Sequence, residues 1–502
     1  MPLRWNVLAN YLGQGWTAVM GLAFVPLYIK YMGIESYGLI GLLAVIQAWM
    51  VLLDMGMGPS LGREMGRFTG GIGSVQSVRD LLKSVEIATV CIAIFAIVLI
   101  WMLSGWLASN WIHTKDLSTD TVAMAFAIMG IVAAMRFVEN IYRSALIGLQ
   151  KQVLLNVIGS VVATLRGGGS VAVLVWISPS VEAFFVWQGI ASGISVVCLA
   201  LAVYTSIPHS ERSARFSSKA LREIWEFARG MVGITILTLL LTQIDKLLLP
   251  KILGLAEFGY YVFAAVIAGS LYMIITPITQ AFYPRFNELI AKKDQSNLVC
   301  SFHLSAQLVS VILGTVAIFL MVFSEPILLV WTQDGIVSEK VAPLVKLLAL
   351  GTLLNGLMWI PYQMQLAHGW TKLTIYINLI SVALIVPAII ILTPIYGAEG
   401  AAWIRVVLNG AYVLVGAHMM YKKMYFLEKW EWYISDVTGP IASASVVAII
   451  LGQIIPSDMG LVAMGGYLSL SILFIGVASL IAAPLIRIRT WEKVRILTSR
   501  FI

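Results

Sequence analysis

Apolar residues run through this chain in long blocks, each close to twenty residues or more, separated by short polar joints. A helix rises about 1.5 Å per residue, so a block of roughly 20 residues matches a hydrocarbon core about 30 Å thick. Fourteen stretches are predicted as spans: 7–29, 37–58, 84–108, 120–148, 153–177, 181–206, 230–250, 259–282, 300–324, 343–367, 372–393, 400–421, 437–455 and 461–485. The seventh carries Asp245 and Lys246, and the tenth is interrupted by Pro361. The pattern predicts an all-α polytopic membrane protein of about 14 transmembrane helices.

The joints are biased in charge. With the N-terminus placed in the cytoplasm, 24 of the 33 Lys and Arg residues fall at cytoplasmic ends of spans and only 5 at outer ends. The remaining cations, Arg136, Arg166, Lys246 and Arg405, lie within spans. Lys and Arg concentrate on the cytoplasmic side of membrane proteins. One missed span would exchange the sides of every later joint, so the split supports both the span count and cytoplasmic termini. The outer joints are short, the longest being 325–342. Inner joints 59–83 and 207–229 are longer, and 217–227 reads as an amphipathic helix on the inner surface that links two halves.

Composition agrees with a lipid solvent. Of 502 residues 60% are hydrophobic and 12% charged, and mean hydropathy is +0.91; soluble domains carry about 25% charged residues. The formal charge of +8 is accounted for by the inner joints, where it meets anionic headgroups. Nucleic-acid binding is not needed to explain it. Cys91, Cys198 and Cys300 all sit in apolar runs, which argues against a disulfide framework. The apolar run after Trp5 has no small-residue cleavage site and reads as a retained span. The five histidines (113, 209, 303, 368 and 418) are dispersed, so no metal site is expected. No Walker A sequence is present. Coupling is therefore expected to a proton or sodium gradient, or to the membrane potential, with no cofactor.

The chain repeats itself. At an offset of 221 residues, Leu27, Lys30, Gly33 and Gly38 recur as Leu248, Lys251, Gly254 and Gly259, and Tyr37 recurs as Phe258. The register continues, with Ala44-Val45-Ile46 recurring as Ala265-Val266-Ile267. A repeat of six spans keeps its orientation, which predicts two parallel lobes about an axis along the membrane normal, with a site between them. The expected organisation is a six-helix lobe at 1–206, a linker at 207–229, a second six-helix lobe at 230–421, and two extra helices with a basic tail at 422–502.

Three motifs carry a family resemblance. The second span ends Asp54-Met55-Gly56-Met57-Gly58-Pro59-Ser60-Leu61-Gly62-Arg63. The seventh reads Gln243-Ile244-Asp245-Lys246, followed by Gly254 and Phe258-Gly259-Tyr260-Tyr261. Before the twelfth stands Pro394-Ile395-Tyr396-Gly397-Ala398-Glu399-Gly400. Over about 5–420 the chain resembles the polysaccharide-transport branch of the multidrug/oligosaccharidyl-lipid/polysaccharide exporter superfamily, the Wzx-type lipid-linked oligosaccharide flippases. The resemblance implies a V-shaped alternating-access bundle in the bacterial inner membrane. It also implies movement of undecaprenyl-pyrophosphate-linked sugars to the outer leaflet. Expected partners are the lipid-linked glycan, membrane lipids, and a glycan polymerase or assembly protein.

Charges within spans are the candidate chemistry. An Arg at the centre of a span costs about 2.5–3.5 kcal/mol on insertion scales, so it should face a polar cavity or a partner. Arg136 and Arg166 lie near the middle of the fourth and fifth spans. Arg136, Glu139, Asn140 and Arg143 follow i, i+3, i+4, i+7 spacing and share one helix face. Gly167-Gly168-Gly169 follows Arg166 and is expected to let the helix unwind, freeing backbone N–H groups for an anion. Guanidinium forks match phosphate oxygens. Arg166 and Arg136 are therefore the leading candidates for a substrate diphosphate, with Arg143 and Lys246 behind them. A buried ion pair of either arginine with Glu139 is the competing reading. Asp54, Glu139 and Asp245 are candidate coupling or structural acids. An ion-coupled antiporter of small soluble substrates is the alternative function, but it predicts an acid-dominated cavity. A glycan polymerase or glycosyltransferase predicts a large outer domain, which the short outer joints do not provide.

Overall fold

The computed structural model describes residues 3–210, 212–424, 427–456 and 459–488, with side chains outside 3–9, 219–221, 223–232 and 234. Tail cations Arg489, Lys493, Arg495 and Arg500, and most side chains of the predicted amphipathic linker, lie outside the described residues.

The described chain is helical throughout. The order begins α1 Leu3–Ala23, α2 Val25–Leu53, α3 Met57–Thr69, α4 Val75–Asn110, α5 Thr119–Gly148, α6 Gln152–Trp176, α7 Val181–Ser206 and α8 Ser218–Leu253. It continues with α9 Leu255–Ala291, α10 Gln295–Val322, α11 Ser324–Thr332, α12 Gly335–Leu357, α13 Trp359–Ala367 and α14 Lys372–Ala411. A π-helical turn at Tyr412–Gly416 leads into α15 Ala417–Lys423. The short α16 Lys429–Glu431 enters a second π-helical stretch, Trp432–Thr438, which runs into α17 Gly439–Gln453; α18 Leu461–Ile481 follows. Side-chain oxygens of Ser74, Ser118, Ser180, Asp294 and Asp334 accept from backbone N–H groups of the first turns of α4, α5, α7, α10 and α12. Each satisfies a donor that has no partner within its helix.

Among the described residues, eleven helices are long and apolar enough to cross a membrane, rather than the fourteen stretches of the hydropathy pattern. Part of the difference is one merged segment, Lys372–Lys423, which covers two predicted stretches and turns at Gly397 (φ 62°). The same device turns α2 at Gly33 (φ 81°) and joins α8 to α9 at Gly254 (φ 82°). A positive φ is open to glycine without steric cost. The two glycines paired by the sequence repeat thus share a positive φ of nearly the same value.

By packing, the chain divides into Met1–Gly259 and Tyr260–Ile502. In the first unit α5 is central and touches α2, α3, α4, α6 and α7, while α1 packs on α6 and α2 on α8. Helix approach there is set by glycine. A Cβ on Gly148 would stand 2.2 Å from the Gly62 carbonyl, which holds α3 tightly against α5. In the second unit α10 is central and touches α12, α17 and α18. Phe302, Leu313, Leu353, Met358 and Trp432 lie in its core. Outward faces are apolar, as on α18, where Leu470, Leu473, Phe474 and Val477 are exposed. Lipid solvates such a surface, so the helices must recognise one another by close packing and polar contacts.

Candidate functional site

A cavity of about 310 Å³ lies inside the first unit, and all its lining residues come from α1, α2, α5, α6 and α7. Its polar wall is made by Thr17, Tyr28, Gln47, Arg136, Arg166 and Gln188. Apolar side chains such as Leu43 and Phe184 complete it.

Two arginines from adjacent helices meet there. Arg136 of α5 donates through Nη1 to Gln47 Oε1 (3.0 Å) and through Nη2 to Gln188 Oε1 (2.6 Å). Gln188 is itself held by donating to Ser170 Oγ (3.0 Å). Arg166 of α6 donates through Nη2 to Glu139 Oε2 (2.7 Å) and to Ser192 Oγ (3.2 Å). The Nε–H groups of both arginines, and Gln47 Nε2, are buried without a hydrogen-bond partner. Burying a donor without a partner costs about 1–3 kcal/mol. All three donors belong to residues that line the cavity.

Glu139 joins the cations. Its side chain is 5% exposed, and it accepts from Arg166 on one side and Arg143 Nη1 (3.4 Å) on the other. Arg143 is largely exposed and does not line the cavity, so it serves Glu139 rather than the cavity wall. Arg136 is left with uncharged partners. The site therefore carries two guanidinium groups against one carboxylate, with Arg143 sharing that carboxylate from outside.

The glycines after Arg166 have a different role from the one expected. Helix α6 runs unbroken from Gln152 to Trp176, so the backbone N–H groups remain in the helix. The glycines make room: a Cβ on Gly167 would stand 2.6 Å from the Phe24 ring, and one on Gly169 2.4 Å from Trp187. Tyr28 Oη donates to the Gly167 carbonyl (3.1 Å), which ties α2 to the same point. Helical hydrogen bonding and close packing outweigh the intrinsic weakness of glycine in a helix.

The other candidates lie elsewhere. Asp54 is buried at the α2–α3 junction and accepts from the Gly58 amide (3.1 Å), which stabilises the turn made by Met55 and Gly56 at positive φ. Asp245 is buried in α8 beside Lys246, and neither lines the cavity. Sequence reasoning missed Gln47, Gln188, Tyr28 and Thr17. Its available signal was a glutamine in the middle of an apolar block, at 47 and again at 188.

Comparison with known proteins bears on the fold and the family. A Shigella flexneri protein, whose name assigns it provisionally to O-antigen transport, is 21% identical over 414 residues, covering 82% of this chain and 96% of that one. The fold is similar to the lipid II flippase MurJ in an inward closed conformation, with TM-score 0.70, 13% identity and coverage of 94% and 97%. It is also similar to an inward-facing multidrug resistance MATE family transporter of the MOP superfamily, with TM-score 0.63, 13% identity and coverage of 82% and 96%. The MatE family profile matches residues 231–391. The profile of the family described as "Polysaccharide biosynthesis protein" matches residues 3–290, more than half of the chain. The chain therefore belongs to that family, the polysaccharide-transport branch of the exporter superfamily, and is a multi-pass membrane transporter rather than an enzyme.

Proposed function

We propose that this protein flips a lipid-linked oligosaccharide, carried on undecaprenyl pyrophosphate, from the inner to the outer leaflet of a bacterial inner membrane. The name of the Shigella flexneri relative and that of the MurJ structure point to this class of cargo. The observation that carries the reading is the pairing of Arg136 and Arg166 in the wall of one cavity, two guanidinium groups against the single carboxylate of Glu139. A diphosphate crossing the bilayer needs cations and donors at mid-depth, because desolvation costs several kcal/mol per ion. Arg136, Arg166 and Gln47 offer that set within about 310 Å³, near the lower end of ligand pockets at roughly 300–1,000 Å³. Such a volume suits a headgroup and not a whole oligosaccharide. A cation-excess wall also disfavours the cationic substrates of a drug antiporter.

In this reading the termini are cytoplasmic, and the membrane potential assists export, because negative charge moves outward. A unit charge is worth about 2.3 kcal/mol per 100 mV. The test is leaflet exchange of a fluorescent undecaprenyl-pyrophosphate glycan in vesicles holding the purified protein. Faster exchange without ATP, quickened by an inside-negative potential, is expected. Exchange no faster than in protein-free vesicles, or an absolute need for ATP, would sink the reading.

A further inference from the structure

A second polar cluster is buried in the other unit, formed by α10, the π-helical stretch Trp432–Thr438 and the chain end after α18. His303 Nδ1 lies 2.5 Å from Asp436 Oδ2, and Gln307 Nε2 donates to Asp436 Oδ1 (2.9 Å). Gln307 Oε1 in turn accepts from the Leu485 amide (2.9 Å). Helix α10 thus holds α17 through Asp436 and the end of α18 through Leu485. The side chains of His303 and Asp436 are 3% and 0% exposed. His303 Nε2 is buried without a hydrogen bond, and Glu431 Oε2 stands 4.0 Å from it. Glu431 is 41% exposed and so reaches water.

We propose that His303, Asp436 and Glu431 form a proton-binding site, loaded through Glu431, whose occupancy sets how firmly α17 and α18 are held on α10. With Nδ1–H donated to Asp436, the remaining lone pair is on Nε2, the atom that faces Glu431. A proton taken from water by the Glu431 carboxylate passes to Nε2 and makes an imidazolium. The trio then goes from two net negative charges to one, and Asp436 gains a full counter-charge inside an apolar core. Loss of that proton leaves the Asp436 carboxylate buried against neutral partners, which is costly. The local hold on Gln307 and the Leu485 amide weakens with it. Histidine is the side chain whose ordinary titration lies in this range, and π-helical segments frequently mark functional sites.

Other titratable groups set the field. Glu428 faces His303 from the residues before α16, Tyr421 faces Asp436 from α15, and Tyr433 lies in the same π-helical stretch. Arg487 is bonded to the Ile481 carbonyl. Helix α17 has no titratable residue, and Tyr467 of α18 donates to the Leu451 carbonyl. In α12, Glu339, Lys340 and Lys346 lie in the first half of the helix. Asp436, Glu431 and Glu428, the last hydrogen-bonded with Glu431, are thus the acidic groups around His303.

This inference is independent of the cargo. Its test uses the full-length protein in detergent, labelled with ¹⁵N-histidine, with the His303 signal identified by its loss in His303→Gln. Over about pH 5 to 8, where imidazoles titrate, His303 should pass from imidazolium to a neutral ring protonated on Nδ1. Protection of the Leu485 and Ile486 amides, corrected for intrinsic exchange, should fall severalfold over the same midpoint. Glu431→Gln, on a half-exposed side chain, should fold normally and move the midpoint to lower pH. A His303 ring that stays in one state, a midpoint that Glu431→Gln leaves in place, or amide protection that ignores the His303 titration would each overturn the proposal.

Discussion

Gly259 sits on the Ile34 carbonyl, so closely that a Cβ added to it would stand 2.4 Å from that oxygen. The contact is mirrored at the repeat offset: a Cβ on Gly38 would stand 2.8 Å from the Leu255 carbonyl. Ile34 and Leu255 are themselves 221 residues apart. Two copies of one motif therefore meet face to face, each glycine against the first residue after the other copy's positive-φ turn. Neither contact has room for a side chain, because a backbone oxygen cannot swing aside.

Gly259→Ala and Gly38→Ala should both destabilise the protein, by about 1–3 kcal/mol each, as overpacking does in other cores. Gly269→Ala, with open space at its Cβ, should be neutral or slightly stabilising. Thermal unfolding in detergent, followed by tryptophan fluorescence, distinguishes the three. Equal melting for Gly259→Ala and Gly269→Ala would contradict the contact.

The three glycines of α6 should separate in a similar way. Gly169→Ala, against Trp187, and Gly167→Ala, against Phe24, should lower stability and folded yield. Gly168→Ala, whose Cβ would be 3.9 Å from Phe24, should gain up to about 1 kcal/mol of helix propensity. If unwinding mattered instead, Gly168→Ala would impair export as severely as its neighbours.

Glu139→Gln leaves Arg166 with a neutral partner and frees Arg143. Breaking a fully buried pair costs about 3–5 kcal/mol, and partial exposure of Arg166 lowers that to roughly 1–3 kcal/mol here. Melting temperature and folded yield should both fall. Combining Glu139→Gln with Arg166→Gln should recover part of the loss. A double variant no better than the sum of the single ones would mean the pair is energetically uncoupled.

Arg166→Ala and Arg136→Ala should abolish or strongly reduce surface glycan export per molecule of inserted protein. Arg166→Lys should restore only part, since an ammonium cannot make a two-pronged contact with a diphosphate. Gln188→Leu should weaken export without removing a charge, because Arg136 loses its 2.6 Å partner. Immunoblotting of the glycan beside membrane quantification reads all four. Full export by a well-inserted Arg136→Ala/Arg166→Ala protein would make these arginines structural.

The chain's own order was enough to indicate its solvent, its helices and its repeat. Hydropathy is a local property of some twenty consecutive residues, and no distant contact is needed to read it. Gly33 and Gly254 stood out as matching positions of the repeat and Gly397 as part of a motif, but their positive φ was visible only in the structure. Arg136 and Arg166 could be singled out because a cation in an apolar block is costly wherever its helix turns.

What those residues touch was decided only by the tertiary structure. Gln47 and Gln188 reach Arg136 from 89 and 52 residues away, and His303 finds Asp436 across 133. Helical periodicity says which residues share a face, but not which way that face turns or which neighbour it meets. Packing sets that rotation, through contacts such as Gly148 on Gly62 and Gly169 on Trp187. It also makes the triple glycine a seat for aromatic rings, because a packed helix keeps backbone bonds that an isolated one would lose. Five histidines scattered in the sequence carried no pattern; one became notable when folding took its ring out of water and placed two carboxylates beside it.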